Sequence, residues 1–171
     1  LNKNGGVSVI PFFLFTLITL LLDQFSKMIV QKFLTEGATI PVWPPFFYLT
    51  YVHNPGIAFG LFPNQGTLLA VMVVMVIIAA AAAHILLTQS HPKIKVGLGL
   101  LLGGALGNIT DRLRIGQVID FLDFRFWPVF NLADVAIVCG SLLFIVALGQ
   151  KPKTDPSGRH RGAEAQRHKG K

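Results

Sequence analysis

Eight carboxylic acids occur in the 171-residue chain, and five of them can gather at one place. Asp155 and Glu164 lie in a polar C-terminal segment and Glu36 in a loop, which leaves Asp23, Asp111, Asp120, Asp123 and Asp134. Two carboxylates held a few ångström apart cannot both ionise readily, so such a pair shares one proton. The ionised member can take a proton from water while the protonated member hydrogen-bonds a scissile carbonyl, and peptide hydrolysis near neutral pH is the chemistry to expect. Other hydrolytic chemistry has little support. His53, His84, His91, His160 and His168 show no H-E-x-x-H spacing, and no G-x-S-x-G elbow is present. Cys139 stands alone in an apolar stretch and reads as a small buried hydrophobe, with no internal disulfide and no cysteine-built zinc site. Neither a metal nor a cofactor is expected.

Each candidate also has a structural reading. Asp23 and Lys27 stand four apart, acid first, the favourable order for an ion pair on one helix. They either make that helix end tolerable at the membrane surface or hold substrate backbone. Asn108, Asp111 and Arg112 fall at i, i+3 and i+4; Arg112 suits a helix C-terminus, and Asp111 can pair with Arg114 or Lys27. Asn131 and Asp134 follow Pro128 as N-x-x-D before an apolar run, a helix-start signature with Asn131 as N-cap. Asp134 on that first turn is also placed to meet Asp120 from the preceding segment. His53 reads as an interfacial polar residue. Spacing alone leaves the choice among the five aspartates open.

The elements that must position these groups are membrane spans. The chain is 52% apolar with a mean hydropathy of +0.59, and only 13% charged, against about a quarter in soluble domains. No Asp, Glu, Lys or Arg occurs between Glu36 and Lys93. Four spans fit, at about 9–33, 67–88, 94–113 and 131–150, each near the 20 or so residues that cross a bilayer. The apolar run after Lys3 has no small-residue cleavage site behind it and reads as an uncleaved anchor. Ten of the fifteen Lys and Arg residues fall at the N-terminus, in the loop with Lys93 and Lys95, and in the tail, which predicts both termini in the cytoplasm. The segments 34–66 and 114–128 then face outward, and all five aspartates lie toward that outer end. Both segments are aromatic, and 118–129 alternates with period two, as extended chain does. Gly99, Gly103 and Gly107 form a small-residue face for close helix approach, and Gly104, Asn108 and Asp111 lie on the adjoining face. The net charge of +7 resides largely in the tail 151–171, a disordered basic segment near anionic lipid. No nucleic-acid partner is expected. Two rivals to a peptidase remain at this point: a proton-coupled carrier, which predicts carboxylates spread through the membrane depth, and an assembly subunit built on the glycine face.

Five blocks, in order, carry a resemblance. D-Q-F-S-K stands at 23–27, H-N-P-G-I-A-F-G at 53–60, G-G-A-L-G-N-I-T-D-R at 103–112, V-I-D-F at 118–121 and F-N-L-A-D at 130–134. Over about residues 8–150 the chain resembles the bacterial lipoprotein signal peptidases, the type II signal peptidases. The resemblance implies an all-α polytopic membrane protein of four transmembrane helices, with a small extracytoplasmic β-cradle at about 34–66 and a short flap at about 114–128. A single domain 1–150 would precede the tail. It implies a monomeric aspartic endopeptidase of the bacterial inner membrane, with its site facing outward. Its substrates would be diacylglyceryl-modified prolipoproteins embedded in membrane lipid, cut before the modified cysteine. On that resemblance the catalytic pair falls on Asp120 and Asp134. Asn54, Asn108, Arg112 and Asn131 match polar positions lining the site, Asp23 and Lys27 match the first block, and Asp111 matches a further acidic position. Pro55 and Ile57 depart from the pattern, which has smaller or more polar residues there.

Overall fold

A computed structural model describes residues 8–55 and 92–149. The expected second span at 67–88, the later part of the cradle segment and the basic tail lie outside the described residues. Within them are three helices, α1 (Ile10–Phe33), α2 (Pro92–Ile115) and α3 (Leu132–Gly149), and three strands, β1 (Thr39–Trp43), β2 (Phe47–Asn54) and β3 (Val118–Asp123).

Helix α1 carries Pro11 in its first turn, where a missing N–H costs nothing. Its buried residues are Phe12, Thr19, Asp23, Lys27 and Val30, one stripe down the helix. The rest of its surface is apolar and exposed, including Phe13, Leu17, Leu21, Phe25 and Met28. That inversion, with polar groups inside and hydrocarbon outside, is stable only where the surroundings are lipid. Among the described residues α1 is the one helix long and apolar enough to cross a membrane, and Leu132–Ala147 is apolar but shorter. The glycines of α2 make it less apolar than either.

Helix α2 lies between the other two. Gly99 and Gly103 bring it onto the carbonyls of Phe12 and Thr16 in α1, while Gly104 sets it against the carbonyl of Ala133 in α3. The face that α3 turns inward is correspondingly small: Ala133, Ala136, Gly140 and Ala147. Backbones approach this closely only where no side chain intervenes.

The sheet has the order β1–β2–β3, antiparallel throughout. Thr39 pairs with Thr50 across β1–β2; Val52 pairs with Asp120 and Asn54 with Val118 across β2–β3. A left-handed Gly116 (φ 75°) turns the chain from α2 into β3. Val30, Tyr51, Ile119 and Phe121 form the core that seats the sheet on α1. Residues 118–123, expected as extended chain within the segment 114–128, are the third strand of the sheet, because their backbone completes the open edge of β2. What projects is the turn from Phe124 to Phe130, closed at its base by hydrogen bonds between Leu122 and Phe130.

Candidate active site

Where α1, α2 and α3 meet the sheet, nearly every buried polar side chain joins one network. At its base Lys27 is 1% exposed and Asp23 fully buried. The Lys27 ammonium lies 2.8 Å from Asp23 and 2.7 Å from Asp111, and donates to Asn108 Oδ1 at 3.1 Å. All three of its protons are thereby used, and no isolated charge is left in the interior. Of the partners open to Asp111, the structure selects Lys27; Arg114 donates instead to Gln24 Oε1. Asp111 also accepts the Ile119 N–H at 3.3 Å, which ties α2 to β3. Asp23 accepts the Ala133 N–H at 3.0 Å, a free donor in the first turn of α3. Asp23, Lys27 and Asp111 therefore fix α1, α2, β3 and α3 to one another.

Asn108 and Asn131 form the next layer. Asn131, fully buried, donates through its amide to Asn108 Oδ1 at 3.1 Å and to Asp120 Oδ1 at 2.6 Å. Asn108 donates to Asp134 Oδ1 at 2.8 Å. Asp134 accepts the Asn131 N–H at 3.2 Å, and its own N–H returns to Asn131 Oδ1 at 3.0 Å, so the capping pair read from N-x-x-D is present. That cap leaves Asp134 half-buried and tied to Asp120 through the two asparagines. Asn54, at the exposed end of β2, donates to Asp120 Oδ2 at 2.8 Å. Arg112, in the last turn of α2, donates to the Asn108 carbonyl, and its charge acts on Asp120, Asp134 and Asp111.

Asp120 sits on β3, and its carboxyl is pushed up to about 6. Burial is the largest cause; the charge of Asp134 adds to it, while the amides of Asn54 and Asn131 and the charge of Lys27 pull the other way. Asp123 differs. Burial would raise it, but the Thr50 hydroxyl at 2.6 Å, the Arg125 N–H at 2.9 Å and the Arg125 charge outweigh burial and hold its carboxyl below the usual range. It stands apart from the network around Asp120. Four of the five aspartates thus come together, with the five other candidates, Lys27, Asn54, Asn108, Arg112 and Asn131, in the same network.

A groove of about 460 Å³ opens beside Asp134, lined by Phe124, Phe126, Trp127, Phe130, Val135, Val138 and Cys139. Cys139, expected to be buried, is exposed there. An apolar position in a spanning helix faces lipid as readily as it faces protein. His53 contacts Glu36 at 3.0 Å and Tyr51 at 2.9 Å, outside the network. Gln24 was not singled out from the sequence, yet it bridges Asp23, Asp111 and the Gly107 carbonyl. Only its place beside Asp23 could have signalled it.

The sequence pattern described as signal peptidase (SPase) II matches residues 15–149. The lipoprotein signal peptidase of Pelotomaculum thermopropionicum is 50% identical over 136 residues, covering 80% of this chain and 90% of that one. That of Moorella thermoacetica is 48% identical over 133 residues, covering 78% and 89%. A solved bacterial membrane enzyme at 27% identity superposes with a TM-score of 0.74 over 86% of this chain and 97% of its own. By its sequence pattern and by these relatives, the chain belongs to the signal peptidase II family.

Proposed function

We propose that the chain is a membrane aspartic endopeptidase that removes signal peptides from prolipoproteins, cleaving before a diacylglyceryl-modified cysteine, with Asp120 and Asp134 as the catalytic pair. The observation that carries the choice of residues is the bridge through Asn131 and Asn108, which holds these two carboxylates in one assembly. Asp23 and Asp111 are occupied by Lys27 and serve as its anchors. Family membership leaves the carrier and the assembly subunit without support.

With its carboxyl at about 6, Asp120 is the member that holds the shared proton and offers it to the scissile carbonyl oxygen. Asp134, half-buried beside the groove, takes a proton from the attacking water. The tetrahedral species collapses as Asp134 returns that proton to the leaving nitrogen and the C–N bond breaks, while Asp120 takes back its proton from the diol oxygen as the new carboxyl forms. Arg112 stabilises the single negative charge as it passes from Asp134 to Asp120, since its field reaches both carboxylates. Asn54 and Asn131 orient Asp120, while Asn108 orients Asp134. The body 1–150 would cross the membrane four times with both termini in the cytoplasm, act as a monomer, and present the pair at the outer surface. A diacylated cysteine keeps its cleavage point there.

The decisive experiment compares purified protein on lipidated and unlipidated peptides of one sequence. Cleavage of the lipidated peptide alone is expected, and Asp120→Asn and Asp134→Asn should each lower kcat by at least about a thousandfold in folded protein. Activity in either variant at the parent level would remove that residue from the pair. Chelation should leave the rate unchanged; loss restored by zinc would point to a metallopeptidase.

A further inference from the structure

Asp123 is a buried carboxylate that the chemistry above does not use. It accepts the Thr50 hydroxyl at 2.6 Å and the Arg125 N–H at 2.9 Å, and lies 3.5 Å from the Arg125 Nε. Arg125 is the one non-glycine residue with positive φ among the described residues, at 64°, and its guanidinium lies 3.9 Å over the Tyr48 ring. A left-handed arginine is held there by its contacts, because free backbone disfavours it. The turn so fixed carries the aromatic wall of the groove. Phe124 contacts Phe47 at 4.9 Å and stacks on Phe130 at 5.8 Å, and Phe126 follows at 6.0 Å. The clasp on Asp123 therefore ties the groove wall to β2.

The groove's lining narrows its occupant. Among the described residues Asp134 is the only charged group on its wall, and the rest is aromatic and aliphatic, with the Trp127 indole N–H and the Cys139 thiol as its only other polar groups. An extended peptide laid there would leave its N–H and C=O groups without partners, whereas an acyl chain has none to satisfy. The groove is continuous with the exposed apolar face of α3 at Val138 and Leu142, so a chain can enter it sideways from lipid.

We propose that Asp123 is a positioning residue that sets acyl-chain preference: with Thr50 and Arg125 it holds the aromatic wall of a groove that seats one acyl chain of the lipidated substrate beside Asp134. This rests on the peptidase reading above. The test uses the full chain in detergent and two lipopeptides of one sequence, whose cysteine carries either palmitoyl or butyryl chains. Asp123→Ala should raise KM for the long-chain peptide about tenfold, roughly two methylenes' worth of lost contact, with kcat changed less than twofold. The short-chain peptide should respond less than twofold in both constants. Thr50→Val should act in the same direction and Thr50→Ser should restore the parent values, which keeps the test open if Asp123→Ala does not fold. An equal rise in KM for both peptides, or a fall in kcat at constant KM, would overturn the proposal. Parent protein that cleaves both peptides with no chain-length preference would overturn it alone, and parent protein that cleaves neither would overturn the peptidase reading itself.

Discussion

Replacing Asn54 by alanine should move the alkaline limb of the pH–rate profile upward by about one unit. Asn54 donates to Asp120 Oδ2 at 2.8 Å and favours the charged form of that carboxyl. A hydrogen bond to a charged group contributes about 1.5–3 kcal/mol, and one pH unit corresponds to about 1.4 kcal/mol. Asn54 stands at the exposed end of its strand, so water recovers part of the lost interaction, and about half is taken as the net effect. Asp120 is 2% exposed and cannot recover the rest by turning to solvent. Its titration should then rise from about 6 to about 7. The shared proton is lost at higher pH in the variant, so the falling limb of kcat/KM moves alkaline although kcat at its plateau is lower. The assay is cleavage of a fluorogenic lipopeptide in detergent from pH 5 to 9, at substrate concentrations well below KM. This limb belongs to the free enzyme's coupled pair, which is the species described above. A limb that stays within about 0.3 units of the parent, or moves acidic, would refute the assignment of the proton to Asp120.

Folding stability should carry the same signature. The Asp120 carboxyl is raised from 3.8 to about 6 on folding, so its contribution is complete below the unfolded value and is lost as pH rises through about 6, roughly 3 kcal/mol in all. Thermal unfolding at pH 4.5 and 7.5 should show about 2 kcal/mol of that loss in the parent, since pH 4.5 is already above the unfolded value, and none in Asp120→Asn. Lys27→Met should destabilise by about 3–5 kcal/mol, because it leaves Asp23 and Asp111 buried without their cation; a loss under about 1 kcal/mol would mean the pair is hydrated. Gly107→Ala puts a β-carbon against the Asp23 carboxylate, and unfolding measurements should show a cost of about 1–3 kcal/mol with cleavage reduced alongside.

The helices were legible because lipid makes the rule simple. Expected spans at 9–33, 94–113 and 131–150 correspond to Ile10–Phe33, Pro92–Ile115 and Leu132–Gly149. The cap of Asn131 and Asp134 was legible because it is local, set by a spacing of three residues. The extended chain at 118–123 was legible from its alternation, but its partner was not. Its pairing with β2 joins segments more than sixty residues apart, and alternation along 118–123 says nothing about which edge receives it. Its burial on both faces also erases the usual contrast between an inner and an outer side. Cys139 was misread for a different reason, since burial in protein and contact with lipid select the same residue types. The five aspartates fall between these cases. Their convergence followed from span order, but the split into anchors and a pair depended on which of them Lys27 reaches.

That reach has a consequence for how the protein is made. Asp23 and Lys27 stand one turn apart on the first helix, so this helix meets the translocation machinery with its two charges already neutralising each other. Asp111 joins them only when α2 arrives, and the Ala133 N–H and Asn131 only with α3. The proposed catalytic pair is consequently assembled only after the network of Asp23, Lys27 and Asp111 can form. A ribosome-bound chain that has not yet released α3 contains Asp23, Lys27 and Asp111 and lacks Asp134 of the proposed pair.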